Sequence, residues 1–197
     1  MPRMEALLQD RRLYVLLQRY DDDLAAQARA EGCRCGGRLH GAAYPRKPRG
    51  GPEDLGDDYG RRHSFCCAED GCRRRTTPPS VRFLGRKVYL GAVVLLATAM
   101  QHGPTRTKLS RLRELVGASL RTLRRWRTWW REVFSATAFW KVARGRLGAP
   151  RPVTGRLPWS LLERFSAPGR TWRSAVMLTL GFVGPVTTTL PVEAQGF

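Results

Sequence analysis

The cysteines are the feature that most constrains the fold of this 197-residue chain. All five fall in one stretch of 40 residues, with Cys33 and Cys35 in a first group and Cys66, Cys67 and Cys72 in a second. Two close pairs of thiolates supply the four ligands of a tetrahedral zinc ion, and the segment between them need only return the chain. The sequence therefore predicts a zinc site formed by Cys33, Cys35, Cys67 and Cys72.

The spacing of these groups leaves alternatives open. Cys66 competes with Cys67 for the third position, and His40 or His63 could replace a cysteine. Buried free thiols are the remaining interpretation. Three glycines would let backbone amides turn towards sulfur, as such sites require: Gly36, Gly37 and Gly71. Because four thiolates close the coordination shell, the predicted Zn²⁺ is structural rather than catalytic.

Charge is distributed unevenly along the chain. Residues 1–70 carry 12 Lys/Arg and 12 Asp/Glu, whereas residues 71–197 carry 23 Lys/Arg and 4 Asp/Glu, which is the whole net charge of +19. Such a field indicates a polyanionic partner, with nucleic acid favoured over a membrane surface. Arginine outnumbers lysine, and its planar fork of donors suits phosphates and guanine edges.

Nothing in the sequence indicates secretion or insertion into a bilayer. The apolar runs at 88–100 and 175–186 are shorter than the roughly 20 residues that span a membrane. Clustered cysteines in a reducing compartment more often bind metal than form disulfides. We therefore expect a cytoplasmic, nucleoid-associated protein that does not contact a membrane.

Changes in composition and residue pattern divide the chain into four predicted segments. Residues 1–31 are helical, with Asp21–Asp23 as a solvated break and cap between two helices. Residues 32–80 form a zinc-ribbon-like domain of short strands and turns, including an extended basic loop at 44–52. Residues 81–135 form a helical DNA-binding domain, and residues 136–197 form a C-terminal helical region and tail without an assigned role.

Three helices are predicted within 81–135. The first runs from Leu84 to about Gln101, is apolar on nearly every face and stops at His102–Pro104. The second spans Lys108–Val116 with Thr107 as its cap. After a turn at Gly117, the third runs from Leu120 to about Phe134 with Ser119 as its cap.

The third helix separates into two faces when its residues are placed at steps of 100°. Its apolar arc contains Leu123, Trp126, Trp130, Val133 and Phe134. The opposite arc contains Arg121, Arg124, Arg125 and Thr128, with Arg127 and Trp129 at the flanks. Arg121 and Arg125 are the first candidates to contact base edges.

The remaining basic groups are predicted to contact phosphates, which adds affinity without sequence preference. They lie between the cysteines and the helices, at Arg73, Arg74, Arg75, Arg82, Arg86 and Lys87. Others lie on the second helix, at Lys108, Arg111 and Arg113.

A helix, a glycine-containing turn and an arginine-rich helix resemble the helix-turn-helix of transposases, recombinases and bacterial repressors. The positions that carry this resemblance are Leu112, Val116, Gly117, Ala118, Leu123 and Trp126. The cysteine groups resemble the zinc ribbons of insertion-element transposases. Together the resemblance covers roughly residues 32–134, and it implies a mainly α fold: a small β zinc ribbon, a three-helix helix-turn-helix core and C-terminal helices.

The expected function is that of a zinc-stabilised, sequence-specific duplex DNA-binding protein, accessory or regulatory and related to transposases. The sequence does not decide whether the protein forms a homodimer or binds a partner transposase or recombinase chain. One alternative is an RNA or single-strand binder that stacks bases on Trp129 and Tyr44. Another is a truncated enzyme, although the acids after residue 70 are too few for a two-metal centre: Glu114, Glu132, Glu163 and Glu193. We therefore expect no enzyme.

Overall fold

The computed structural model describes residues 2–85, 87–101, 106–147 and 156–187. It is mainly helical with a small antiparallel sheet, as predicted. The helices are α1 Pro2–Leu8, α2 Arg11–Glu31, α3 Gly91–Ala99, α4 Arg106–Val116, α5 Leu120–Thr128, α6 Ala138–Arg146, α7 Trp159–Phe165 and α8 Trp172–Val183. The strands are β1 Leu39–Gly41, β2 Tyr44–Pro45, β3 Arg61–Arg62, β4 Phe65–Cys67 and β5 Arg75–Thr76. A three-stranded sheet has the order β1-β4-β5, and β2 pairs with β3.

The predicted helix break at Asp21–Asp23 is wrong. The break lies at Asp10, whose Oδ1 accepts a hydrogen bond from the Arg12 backbone N–H at 3.0 Å and caps α2. The helix then continues through the three aspartates, because the Asp21 carboxylate is buried against protein rather than solvated. It accepts hydrogen bonds from Arg82 Nε at 2.9 Å and from the Val81 backbone N–H at 2.7 Å.

The first predicted helix of 81–135 is shorter than expected. Every residue of α3 is buried, but the helix begins at Gly91 rather than Leu84. The preceding residues, which we call the 84–90 segment (described except for Arg86), follow an irregular path instead. They bond to the basic loop: Arg49 donates its backbone N–H to the Val88 carbonyl at 3.0 Å and accepts from Leu90 at 3.1 Å. A partner some 40 residues away therefore replaces local helical hydrogen bonds.

Helices α4 and α5 follow the predicted turn. Gly117 has φ +61°, which glycine adopts at no steric cost. The predicted cap is confirmed, because Ser119 Oγ accepts the Thr122 backbone N–H at 3.2 Å. Since α4 begins at Arg106, Thr107 lies within the helix and is not its cap. The predicted stop at His102–Pro104 falls outside the described residues.

The predicted third helix is not uniform. Regular α5 ends at Thr128 and is followed by a π-helical turn over Trp129–Val133 and a 3-10 turn over Phe134–Ala136. In the π turn the Phe134 N–H bonds to the Trp129 carbonyl, one residue further back than in an α-helix, which rotates the positions around it. The predicted burial of Leu123, Trp126, Trp130 and Phe134 is confirmed, but Val133 is 53% exposed.

A single main core joins distant parts of the chain. It includes Leu8 and Leu17 from the N-terminal helices, α3, the buried side of α5, and Val176 and Leu180 of α8. Helix α8 packs against α1, α2 and α3. A smaller cluster lies beside the three-stranded sheet and contains Ala25, Cys33, Leu39, Phe65 and Cys67. No helix within the described ranges has the length and hydropathy needed to cross a bilayer.

Candidate metal centre and nucleic-acid interface

The structure brings four cysteines together. The Sγ atoms of Cys33, Cys35, Cys67 and Cys72 all lie within 4.8 Å of one another. The Sγ–Sγ distance is 3.7 Å between Cys33 and Cys72, and 3.5 Å between Cys35 and Cys67. With Zn–S bonds of about 2.3 Å, two sulfurs of a tetrahedron lie about 3.8 Å apart. The spacing therefore fits four thiolates around one metal ion and is far from the roughly 2.05 Å of a disulfide.

Two turns present these sulfurs. The first follows α2, and in it Gly36 N–H bonds to the Cys33 carbonyl at 2.8 Å while Cys33 N–H bonds to the Gly37 carbonyl at 3.0 Å. The second follows β4, and in it Cys72 N–H bonds to the Glu69 carbonyl at 3.0 Å. The two turns meet because β1 and β4 pair antiparallel.

Gly37 lies directly against the cluster. A Cβ at this position would lie 2.7 Å from the Sγ of Cys67 and 3.3 Å from that of Cys35. Both sulfurs sit on short side chains that cannot swing away without leaving the group. Only glycine therefore fits here without displacing a ligand.

The geometry distinguishes Cys67 from Cys66. Successive strand residues point to opposite faces, so the two adjacent thiols diverge: Cys67 is buried in the cluster, whereas Cys66 Sγ faces the Arg73 carbonyl at 3.5 Å. Neither histidine joins the group. His63 Nε2 lies 2.8 Å from Asp22 Oδ1, and His40 is exposed on β1.

The thiols differ in acidity. A hydrogen bond from the Cys35 backbone N–H is the main cause that lowers the pKa of Cys33 to about 7. At Cys67 the Glu69 backbone N–H favours the thiolate, but burial and the neighbouring Cys35 sulfur outweigh it and raise the pKa to about 12. Four thiolates at this separation repel one another, so full ionisation of the group calls for a cation at its centre.

The basic side of α5 lies at the surface. All of its predicted contact residues are exposed: Arg121, Arg124, Arg125, Arg127 and Thr128. None of these arginines forms an ion pair with a carboxylate in the described part of the chain. The opposite side is fixed by Leu123 and Trp126 in the core. The helix therefore presents uncompensated positive charge on a rigid support.

A cleft of about 1010 Å³ lies between α5 and the 84–90 segment. Lys87 occupies one wall, with its Nζ 3.5 Å from the centre of the Trp129 ring, a cation–π contact. Burial, and to a lesser degree the charge of Arg125, lowers the pKa of Lys87 to about 8. The cleft thus holds a partly desolvated ammonium group among arginines.

Several predicted phosphate contacts need correction or lie outside the described residues. Arg82 is 1% exposed and pairs with Asp21 of α2. Because its guanidinium is buried in this pair, it cannot reach a phosphate. Arg73 pairs with Asp70, and Arg111 Nη2 lies 2.8 Å from Glu5 Oε2. Both of these arginines stay exposed, so their predicted phosphate contacts are not overturned. Three further predicted residues are exposed and pair with no carboxylate among the described residues: Arg74, Arg75 and Arg113. Arg86 and the side chain of Lys108 fall outside the description.

Two features of the structure were not predicted from the sequence. The buried Asp21–Arg82 pair could have been predicted in part, since Tyr14, Leu17 and Asp21 recur at helical spacing and place the aspartate on the buried face of α2. No sequence signal indicates the irregular path of the 84–90 segment, because its apolar residues fit a buried helix as well as they fit an irregular segment. Its path depends on Arg46, whose Nη2 donates to the Lys87 carbonyl at 2.8 Å.

Comparison of the chain with protein-family models, curated proteins and solved structures finds no match.

Proposed function

We propose that this protein is a zinc-stabilised, sequence-specific duplex DNA-binding protein with an accessory or regulatory role. The observation that carries the proposal is the uncompensated arginine side of α5. An exposed row of guanidinium groups on a helix anchored by buried apolar residues suits the major groove, which admits an α-helix. Arg121 and Arg125 lie one helical turn apart near its N-terminal end and would contact base edges.

The arrangement around α5 supports a helix-turn-helix. Helix α4 ends at Val116, Gly117 forms the turn, and Ser119 caps α5. Helix α3 packs against both helices and supplies the third member of the core. In such motifs the second helix of the pair enters the major groove, and α5 is that helix here.

The cysteine group would act as a structural clamp that holds Zn²⁺. The bound ion would neutralise the four sulfurs and fix the two turns beside the β1-β4-β5 sheet. Arg74 and Arg75 follow directly on the turn that contains Cys72, so the clamp would fix these exposed arginines where they can contact phosphates.

Equilibrium binding of the full zinc-loaded chain to labelled DNA tests the proposal. Selection from random duplexes identifies a preferred site, and Arg121→Ala and Arg125→Ala are then compared on that site and on a scrambled one. Each variant should lose about 1–3 kcal/mol on the preferred site and much less on the scrambled one. Arg29→Ala, which removes an exposed arginine of α2, is the control of equal charge.

Equal losses on both duplexes, or equal losses in the Arg29 control, would show that the charge of α5 acts without sequence recognition. A stronger affinity for single-stranded DNA or RNA than for any duplex would favour the alternative single-strand binder. That alternative has less structural support, since Lys87 covers a face of the Trp129 ring and Tyr44 is half-buried in β2.

The truncated-enzyme alternative is tested by incubating supercoiled DNA with the protein and Mg²⁺ or Mn²⁺. Nicking that disappears when one glutamate is changed, for example in Glu114→Gln or Glu132→Gln, would establish an enzyme. We expect no nicking above the level of a heat-treated control.

A further inference from the structure

The cleft beside α5 is too small for a double helix but has the size of a small-ligand site. Its volume of about 1010 Å³ lies at the upper end of the roughly 300–1,000 Å³ usual for such sites. One wall is the exposed side of α5 and the π-helical turn after it; the other is the 84–90 segment. A duplex read by α5 would therefore place its end or its backbone at the mouth of this cleft.

The cleft is preformed. Arg46 holds the outer wall through hydrogen bonds to the carbonyls of Gly85 and Lys87. Tyr89 joins this wall to the helix pair, because its hydroxyl donates to the Gly117 carbonyl at 2.9 Å and its ring meets that of Trp126 edge-on. These contacts fix the distance between the two walls without a ligand.

Part of the lining of the cleft is cationic, with residues from both walls. Lys87, Arg121 and Arg125 all line it, and among the described residues no carboxylate pairs with any of them. Lys87 is half-buried beside a second cation, and its Nζ contacts the Trp129 ring. An anion in the cleft would relieve this repulsion.

Another part of the lining is apolar and open to water. Val88 and Val133 line the cleft, and each is 53% exposed. Val133 faces outward because the π-helical turn rotates it away from the core, and such turns often mark functional sites. A ligand that combines a phosphate with a flat apolar group would match both parts of the lining.

We propose that this cleft binds one unpaired nucleotide of a single-stranded extension next to the duplex. Lys87 contacts its phosphate, and Val88 and Val133 contact its base. The inference rests on the proposed function, because α5 supplies one wall. It adds a structural preference to the sequence preference: the protein favours duplex ends or junctions with an unpaired strand.

The test compares one duplex, blunt or with an extension of three nucleotides on either strand end, using the full zinc-loaded chain. The first unpaired base is 2-aminopurine, whose fluorescence reports its surroundings. We expect one polarity of extension to tighten binding about tenfold, near the low end of the effect of a stacked base, together with a change in 2-aminopurine fluorescence. The variant Val133→Ser should remove this advantage, whereas Val142→Ser, at another exposed valine, in α6 and outside the cleft, should keep it.

Equal affinity for blunt and extended duplexes would overturn the inference and leave the proposed function standing. An advantage that survives in both Val133→Ser and Val88→Ser would also overturn it, since the unpaired base would then lie elsewhere. If the protein ignores duplexes and binds only the single strand, with loss in Val133→Ser, the proposed function fails and the cleft assignment stands.

Discussion

At the scale of single residues, the cysteine group depends on close packing rather than on its four ligands alone. The alternation of β4 decides between Cys66 and Cys67, a choice that spacing left open because both thiols are adjacent in sequence. Gly37 contributes by having no side chain, which no motif of cysteines reveals. The grouping of these four cysteines could be predicted from the sequence because cysteines at close spacing have few other uses. The close approach of Gly37 could not, because it depends on the fold.

Gly37→Ala should weaken metal binding, because its Cβ would lie 2.7 Å from the Sγ of Cys67. We expect zinc content after dialysis against a competing chelator to fall well below one per chain. Gly71→Ala is the matched control, since a Cβ there meets nothing within 4 Å. Equal zinc retention in the two variants would show that the cluster tolerates a methyl group and that the close approach is not needed.

Asp21→Asn should destabilise the fold strongly. The Arg82 guanidinium, 1% exposed, would lose its only carboxylate partner in the described residues, and breaking a buried pair costs about 3–5 kcal/mol. The free energy of unfolding in urea measures this loss. Asp23→Asn, at an exposed position of the same helix, should change it by less than about 0.5 kcal/mol. A small loss in Asp21→Asn would mean that the pair contributes little beyond hydrogen bonding.

At the scale of elements, the helices with clear periodicity were predicted and the irregular segments were not. Helix α5 was predicted at its start because Ser119 and the alternation of Leu123 and Trp126 with arginines are local signals. Its end was not, because the π-helical turn depends on how Trp130 and Phe134 pack in the core. The 84–90 segment was assigned to a helix since its partners, Arg46 and Arg49, lie far away in sequence.

The pKa of Lys87 predicts a pH dependence of DNA binding. With a pKa of about 8, this ammonium group is charged at pH 7 and mostly neutral at pH 9, whereas Arg125 and the other cleft arginines stay charged. Binding should therefore release about one counterion less at pH 9, which reduces the slope of log K against log salt by about 0.9. Lys87→Arg should show equal slopes at both pH values. A wild-type slope that does not change would place Lys87 outside the contact with phosphate.

At the scale of the whole molecule, the buried apolar residues form two clusters of unequal size. The main core contains residues from both ends of the described chain, whereas the small cluster beside the sheet contains Leu39, Phe65 and two of the cysteines. A cluster this small buries too little apolar surface to hold a sheet alone. We therefore expect the sheet to depend on a metal ion held by the cysteines, and the helical core to be independent of it.

Removing the metal should accordingly unfold only part of the protein. After treatment with a strong chelator, hydrogen exchange should accelerate at residues 33–41 and 65–76 and stay slow in α3 and α8. Far-UV circular dichroism should keep most of its helical signal. Loss of protection in α3 together with the sheet would show that the two clusters unfold as one unit, coupled through Asp21 and Arg82.

The packing of α8 against α1 and α2 also has a consequence during synthesis. Helices α1 and α2 leave the ribosome with Leu8, Leu13 and Leu17 exposed; α1 packs against α3 and α8, α2 packs against α8, and α8 is made more than 150 residues later. At about 5–20 residues per second, that delay lasts roughly ten seconds or more. The arginine-rich middle of the chain emerges in the meantime beside ribosomal RNA. We expect this nascent chain to need a chaperone that covers its N-terminal leucines until α8 arrives.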